Sequence, residues 1–222
     1  MAESMHRYAV VTGENKGIGL EICKQLACKG ITVVLTTRDE KRGLEALENL
    51  KHCGLLDHLV FHQLDVADPA SIASLADFVK KLFGKLHILV NNAGVRGVNI
   101  DRRKIYYLFV TSAIDEEKQN ELSSGPLRTG PDSGSWPTAL SAYTVSKVAM
   151  DAHTRILAKK YPNFYINCVC PDFVKTDINF NMGKLTVEEG AASPVKLALL
   201  PNGGPFGLFF NRSEPASFDS DN

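Results

Sequence analysis

The sequence predicts an α/β fold: a doubly wound, mostly parallel sheet in a single domain spanning residues 1–222. Three observations lead there. Short apolar runs alternate with amphipathic stretches from Tyr8 to Val90, and strict strand–helix alternation means parallel strands with right-handed crossovers. The runs are rich in β-branched residues, as in Ile31 to Thr36 (ITVVLT). A glycine-bearing turn, Thr12 to Gly19, joins the first run to the first amphipathic stretch.

Tyr8 to Thr12 reads as a buried strand. Ile18 to Lys29 follows as a helix, with Ile18, Ile22 and Leu26 on one face and a stop at Gly30. Ile31 to Thr36 is the second strand. Glu40 to His52 is an amphipathic helix, with Leu44, Leu47 and Leu50 spaced by three. Leu59 to Leu64 is the third strand. Asp68 and Pro69 supply an N-cap and a first helical residue for a helix running to about Phe83. Leu86 to Val90 is the fourth strand. Residues 95–137 break the rhythm: Ile105 to Val110 is the only strand-like run, and glycines and prolines fill Ser123 to Pro137. Order resumes with a helix over Leu140 to Lys160, ended by Pro162, and a strand over Phe164 to Val169. Thr186 and Glu189 stand in capping-box spacing at the head of a helix running to Leu200. Gly207 to Phe210 is a last short strand, and Ser213 to Asn222 is expected to be a frayed, flexible tail.

Composition narrows the function classes. Hydrophobic residues make up 44% and charged residues 23% of the chain, as in an ordinary globular protein. Formal net charge is zero, with no basic cluster interleaved with aromatics, which argues against nucleic acid or anionic lipid as a partner. The five cysteines lack metal-ligand spacing, so neither a zinc site nor a disulfide framework is expected. Cys168 and Cys170 alternate along a strand and are expected to face one packed side. Met1 to Arg7 is polar and no apolar run reaches a membrane span, so cytoplasm is the expected location.

The turn Gly13-Glu14-Asn15-Lys16-Gly17-Ile18-Gly19 carries the first chemistry. Glycines let the backbone approach a pyrophosphate, and the following helix N-terminus offers unpaired N–H groups and partial positive charge. Because the turn follows a strand and opens a helix, it reads as a dinucleotide site, held by Gly13, Asn15, Lys16, Gly17, Ile18 and Gly19. The end of the second strand bears on cofactor choice. An NAD site has an acid there; here Thr37 is followed by Arg38. Arg38 and Lys16, expected on the same side, suit a ribose 2′-phosphate and hence NADP(H). Asp39, one position on, keeps NAD open.

Two later motifs complete a pattern: Asn91-Asn92-Ala93-Gly94 after the fourth strand, and Tyr143-Thr144-Val145-Ser146-Lys147 (YxxxK) on the long helix. With the glycine turn, they make the chain resemble the short-chain dehydrogenases/reductases, which have a Rossmann-like fold. It is most similar to the plant carbonyl-reductase-like branch that includes neomenthol dehydrogenase and salutaridine reductase. The resemblance implies an NADP-dependent enzyme that reduces a ketone or aldehyde, such as a terpenoid, to an alcohol. It implies that Asp65 and Val66 lie by the adenine, with Asn91, Ala93 and Gly94 along the cofactor. Tyr143 would be the general acid, and Lys147 would hold the nicotinamide ribose. Pro171, Val174 and Thr176 would contact the cofactor from the following loop. Independent chemistry agrees for Tyr143 and Lys147: at i and i+4 on a helix they share a face, and an ammonium lowers a phenol's pKa toward neutrality.

The sequence also departs from that family. Family members carry a helix and a serine-bearing strand between NNAG and YxxxK; here 95–137 stands in their place, so disruption is expected between the fourth and sixth strands. Ser112, ending the run Tyr107 to Val110-Thr111-Ser112, is the weak candidate for the catalytic serine, and no asparagine replaces the family's. Asp172 follows Pro171 where the family has glycine. Trp136, Phe173, Phe180 and Met182 are candidates to line an apolar pocket. The partner is therefore a small-molecule carbonyl or alcohol, and the resemblance implies a monomer. The alternative is a remnant that binds NADPH without turnover.

Overall fold

The computed structural model describes residues 6–13, 15–94 and 141–216, with the backbone alone at 51, 56, 141–146 and 148. Two compact units make up the chain: residues 1–94 with 169–203, and residues 95–168 with 204–222.

The first unit is α/β with a parallel sheet, as the alternation predicts. Strands β1 (Tyr8–Thr12), β2 (Thr32–Thr37), β3 (Leu59–Gln63) and β4 (Ile88–Val90) lie in the order β3-β2-β1-β4. Val11 pairs in register with Leu35 on one side and Val90 on the other. Helices α1 (Gly17–Ala27), α2 (Glu40–Lys51) and α3 (Pro69–Phe83) are the crossovers. Strands β1 and β2 are covered on both faces, which is why they read as unbroken apolar runs. Ala9, Val11, Val33 and Leu35 pack with Ile22 and Leu26 of α1 and with Ala191 and Val195 of a later helix, α5 (Val187–Ala198). Val10 and Val34 face the other way, onto Val79, Leu75 and Phe78 of α3. Losing a wholly buried leucine such as Leu26 costs roughly 2–5 kcal/mol.

Helix ends follow the local signals. Asp68 accepts the Ala70 N–H at 3.0 Å with Pro69 at the first turn, and Gly84 ends α3 at φ +73°. Asp39 caps α2 by accepting the Arg42 N–H at 3.1 Å. Thr186 and Glu189 form the expected capping box on α5.

A short strand, β5 (Cys168–Cys170), lies where the chain passes from the second unit back to the first, and the second unit itself carries the YxxxK helix, α4 (Ser141–Lys160), with strands β6 (Phe209–Asn211) and β7 (Glu214–Ala216). Here three expectations need correction. The strand expected over Phe164 to Val169 begins only at Cys168. The Phe164 N–H instead closes a turn onto the Tyr161 carbonyl, and the Asn167 side chain brackets the Pro205 carbonyl and the Leu208 N–H. The tail expected to fray from Ser213 contains β7, which pairs antiparallel with β6 across a two-residue turn with Arg212 at φ +57°. Cys168 and Cys170 do not share a packed face: Cys168 is half-buried and Cys170 exposed. Burial and the neighbouring Asp151 carboxylate push the Cys168 thiol up to about 12, so it stays protonated and unreactive. Ile105 to Val110 and Ser112 lie outside the described residues. Among those residues β4 has β1 as its only strand partner.

Candidate cofactor site

The C-terminal edge of the parallel sheet gathers the predicted residues of the first unit. The glycine turn leaves β1 there, Arg38 leaves β2, Asp65 and Val66 leave β3, and Asn91 leaves β4. In doubly wound sheets that edge binds ligands.

Gly13 combines a left-handed backbone with a close approach of a neighbouring segment. It has φ +79°, its N–H donates to the Thr36 carbonyl at 3.0 Å, and a Cβ there would stand 2.7 Å from Ala93 Cα. No other residue combines that backbone with that closeness. The Asn91–Gly94 loop is fastened to the turn by two residues that the motif reading passed over. Thr12, buried at the end of β1, accepts the N–H groups of Asn92 (3.1 Å) and Ala93 (3.0 Å) on Oγ1, while Asn92 Nδ2 donates to the Thr12 carbonyl at 2.9 Å. The signal was present, since Thr12 immediately precedes Gly13 and Asn92 sits inside NNAG.

Lys16 is the N-cap of α1 but gives it no side-chain cap, and no acid stands in the first turn. Helices α2, α3 and α5 are each capped by a side chain. Among the described residues no side chain caps the first N–H groups of α1, which suits them to an anion. Gly17, at φ +65°, faces Thr176, whose Cγ2 lies 3.7 Å from where a Cβ would be. Gly19 is buried and Ile18 packs against the core. These are cradles that side chains would fill, and they fit a dinucleotide.

The loop after Pro171 is organised from inside. Asn179, buried, donates to the Val174 carbonyl at 2.7 Å and accepts the Thr176 N–H at 3.1 Å. Val174 itself is core, against which Gly190 packs too closely for any side chain. Phe173 and Phe180 are half-buried and Met182 is exposed; Trp136 lies outside the described residues.

Around the turn, Lys16 Nζ pairs with Asp177 Oδ2 at 2.5 Å, because the Asn179-held segment brings that carboxylate within reach of a flexible stem. Arg38 is exposed and, among the described residues, has no ion pair, while its carbonyl accepts from Gln63 Nε2 at 2.8 Å. Asp39, the residue that kept NAD open, is engaged twice by Arg42, through the backbone N–H and through Nε at 3.3 Å. Arg42 in turn lines an open cavity of about 310 Å³ with Asn15, Lys16, Glu45, Ala46 and Asn49. It was missed although it lies four residues from Arg38. Asp65 caps its own turn, accepting the Ala67 N–H at 3.0 Å, and Val66 is exposed.

Tyr143 and Lys147 fall one turn apart on α4 in the second unit, where Lys147 is half-buried. Its charge opposes the upward pull of burial on the Asp151 carboxyl. Among the described residues no group of three or more metal-ligating side chains exists, and no helix is long and apolar enough to cross a membrane.

Residues 7–107 match the short chain dehydrogenase family. A short-chain dehydrogenase/reductase 1 from Saponaria officinalis is 45% identical over 291 aligned positions, covering 96% of each chain. The (+)-neomenthol dehydrogenase of Arabidopsis thaliana is 43% identical, over 98% of this chain and 100% of that one. The solved salutaridine reductase of Papaver somniferum is 37% identical with a TM-score of 0.78, covering 93% and 99%. An alignment of 291 positions exceeds the 222 residues present, so at least 69 positions of the Saponaria comparison have no residue here. Sheet order, glycine turn and relatives together establish that the chain belongs to the short-chain dehydrogenase/reductase family.

Proposed function

We propose that the protein is an NADPH-dependent reductase of a small apolar ketone or aldehyde, of the terpenoid or alkaloid kind named for its relatives. The observation that carries the proposal is the Gly13 turn: a left-handed glycine pressed against Ala93, opening an uncapped helix. Gly13, Gly17, Thr176 and the Asn91–Gly94 loop would hold the dinucleotide, with Arg38, Lys16 and Arg42 available to a 2′-phosphate. Asp39 is occupied as a cap, which favours NADPH over NADH. NADPH supplies the hydride when bound. Tyr143 donates its phenolic proton to the carbonyl oxygen as the carbon is reduced, and the tyrosinate left behind regains a proton from water. Lys147, one turn along α4, stabilises that tyrosinate and lowers the tyrosine's pKa.

The test is NADPH oxidation in the presence of a panel of cyclic ketones. Tyr143→Phe is expected to lower turnover by about 10²–10⁴-fold while leaving the NADPH dissociation constant unchanged. Unaltered turnover by that variant would remove Tyr143 from its role. A second reading, an NADPH-binding protein without turnover, is favoured by the aligned positions that have no residue here. Nucleotide-dependent thermal stabilisation with no oxidation on any ketone would select it.

A further inference from the structure

We propose that Asp177 sets cofactor preference by competing for the Lys16 ammonium, which changes partner from this carboxylate to the 2′-phosphate when NADPH binds. The proposal rests on the cofactor reading above and concerns the same site. Lys16 and Asp177 lie 161 positions apart in sequence, yet their charged atoms meet at 2.5 Å. Their side chains are 59% and 60% exposed, so the pair sits in water and is cheap to exchange.

The two partners are held differently. Asp177 stands in a short 3₁₀ turn, Asp177–Asn179, whose geometry is fixed by the buried Asn179 and by the Asn181 N–H donating to the Thr176 carbonyl at 2.8 Å. Lys16 has a four-carbon stem and a point charge with three donors, free to swing. Its other surroundings are the cavity it shares with Asn15 and Arg42, on the α2 side of the turn. A phosphomonoester carries close to two negative charges at neutral pH and outbids a single carboxylate for the ammonium. The pyrophosphate, which the turn's backbone N–H groups would hold, is common to both nucleotides, so only NADPH brings the additional dianion that draws Lys16 away from Asp177. Asp177 thus taxes NADPH binding and leaves NADH binding untouched.

Fluorescence titrations of the full chain with NADPH and with NADH decide this, using wild type, Asp177→Asn, Lys16→Met and the double variant. Asp177→Asn is expected to tighten NADPH by about two- to fivefold, the range of an exposed ion pair, with NADH unchanged. In the Lys16→Met background the same change is expected to do nothing. The proposal is overturned if Asp177→Asn weakens both nucleotides, which would make the pair a strap over the turn. It is equally overturned if the gain persists without Lys16, which would reduce Asp177 to general repulsion. Wild type that binds neither nucleotide sinks the cofactor reading itself.

Discussion

At Asp172 the backbone has φ +71°, the left-handed region where a side chain is strained. Aspartate is one of the few residues that tolerate it, because its short carboxylate bonds locally; here Oδ1 accepts the adjacent Phe173 N–H at 2.7 Å. The left-handed aspartate is therefore accommodated by its own local hydrogen bond. Asp172→Ala loses that bond and keeps the strain, whereas Asp172→Gly loses the bond and the strain together. The glycine variant is expected to be the more stable by about 1 kcal/mol in paired thermal melts. Equal stability would mean that the left-handed geometry is not imposed by its surroundings. The site residues legible in the sequence were those whose reason is local, such as Gly13 and Gly17. Lys16's partner was not legible, since nothing near Lys16 in the chain points to a carboxylate at Asp177.

Elements were legible where their ends carry side-chain signals. Asp68-Pro69 and Thr186 with Glu189 each mark a terminus that the structure confirms to within a residue or two. Strand limits after α4 were not, because Asn167, a side chain, makes the hydrogen bonds that a strand's backbone would otherwise make. The start of β1 shows a different dependence. The Tyr8 N–H donates to His87 Nδ1 at 3.0 Å, and His87 Nε2 is buried with no hydrogen-bond partner among the described residues. Burial, with Lys85 and Arg7 nearby, holds the His87 pKa below its ordinary value. The folded chain thus prefers neutral His87, so stability is complete above about pH 6.5, the unfolded value, and declines as pH falls below it. Thermal melts across pH 5 to 8 are expected to show a steeper acid-side loss for wild type than for His87→Gln. Parallel pH profiles would place the dependence elsewhere.

On the scale of the molecule, the first unit's parallel strands and their crossover helices were legible because strands buried on both faces write themselves as apolar runs, while the order β3-β2-β1-β4 came from the structure. The sequence says least after β4, where residues 95–137 break the alternation and offer only the run Ile105 to Val110. Leu89, at the centre of β4, is 55% exposed, although its register partner Val10 is completely buried. Leu89→Thr is therefore expected to change unfolding free energy by less than about 0.5 kcal/mol and to reduce self-association in light scattering. A loss of about 2 kcal/mol or more would show that this face is packed. The C-terminal edge of this sheet is proposed to hold a phosphorylated dinucleotide with Arg38 at the 2′-phosphate. The most direct measurement is a pair of binding titrations, NADPH against NADH, on wild type and Arg38→Ala. The account predicts that wild type prefers NADPH by about tenfold or more and that Arg38→Ala loses most of that preference, a charge-assisted bond being worth roughly 1.5–3 kcal/mol. Equal affinity of wild type for both nucleotides, or for neither, would contradict it.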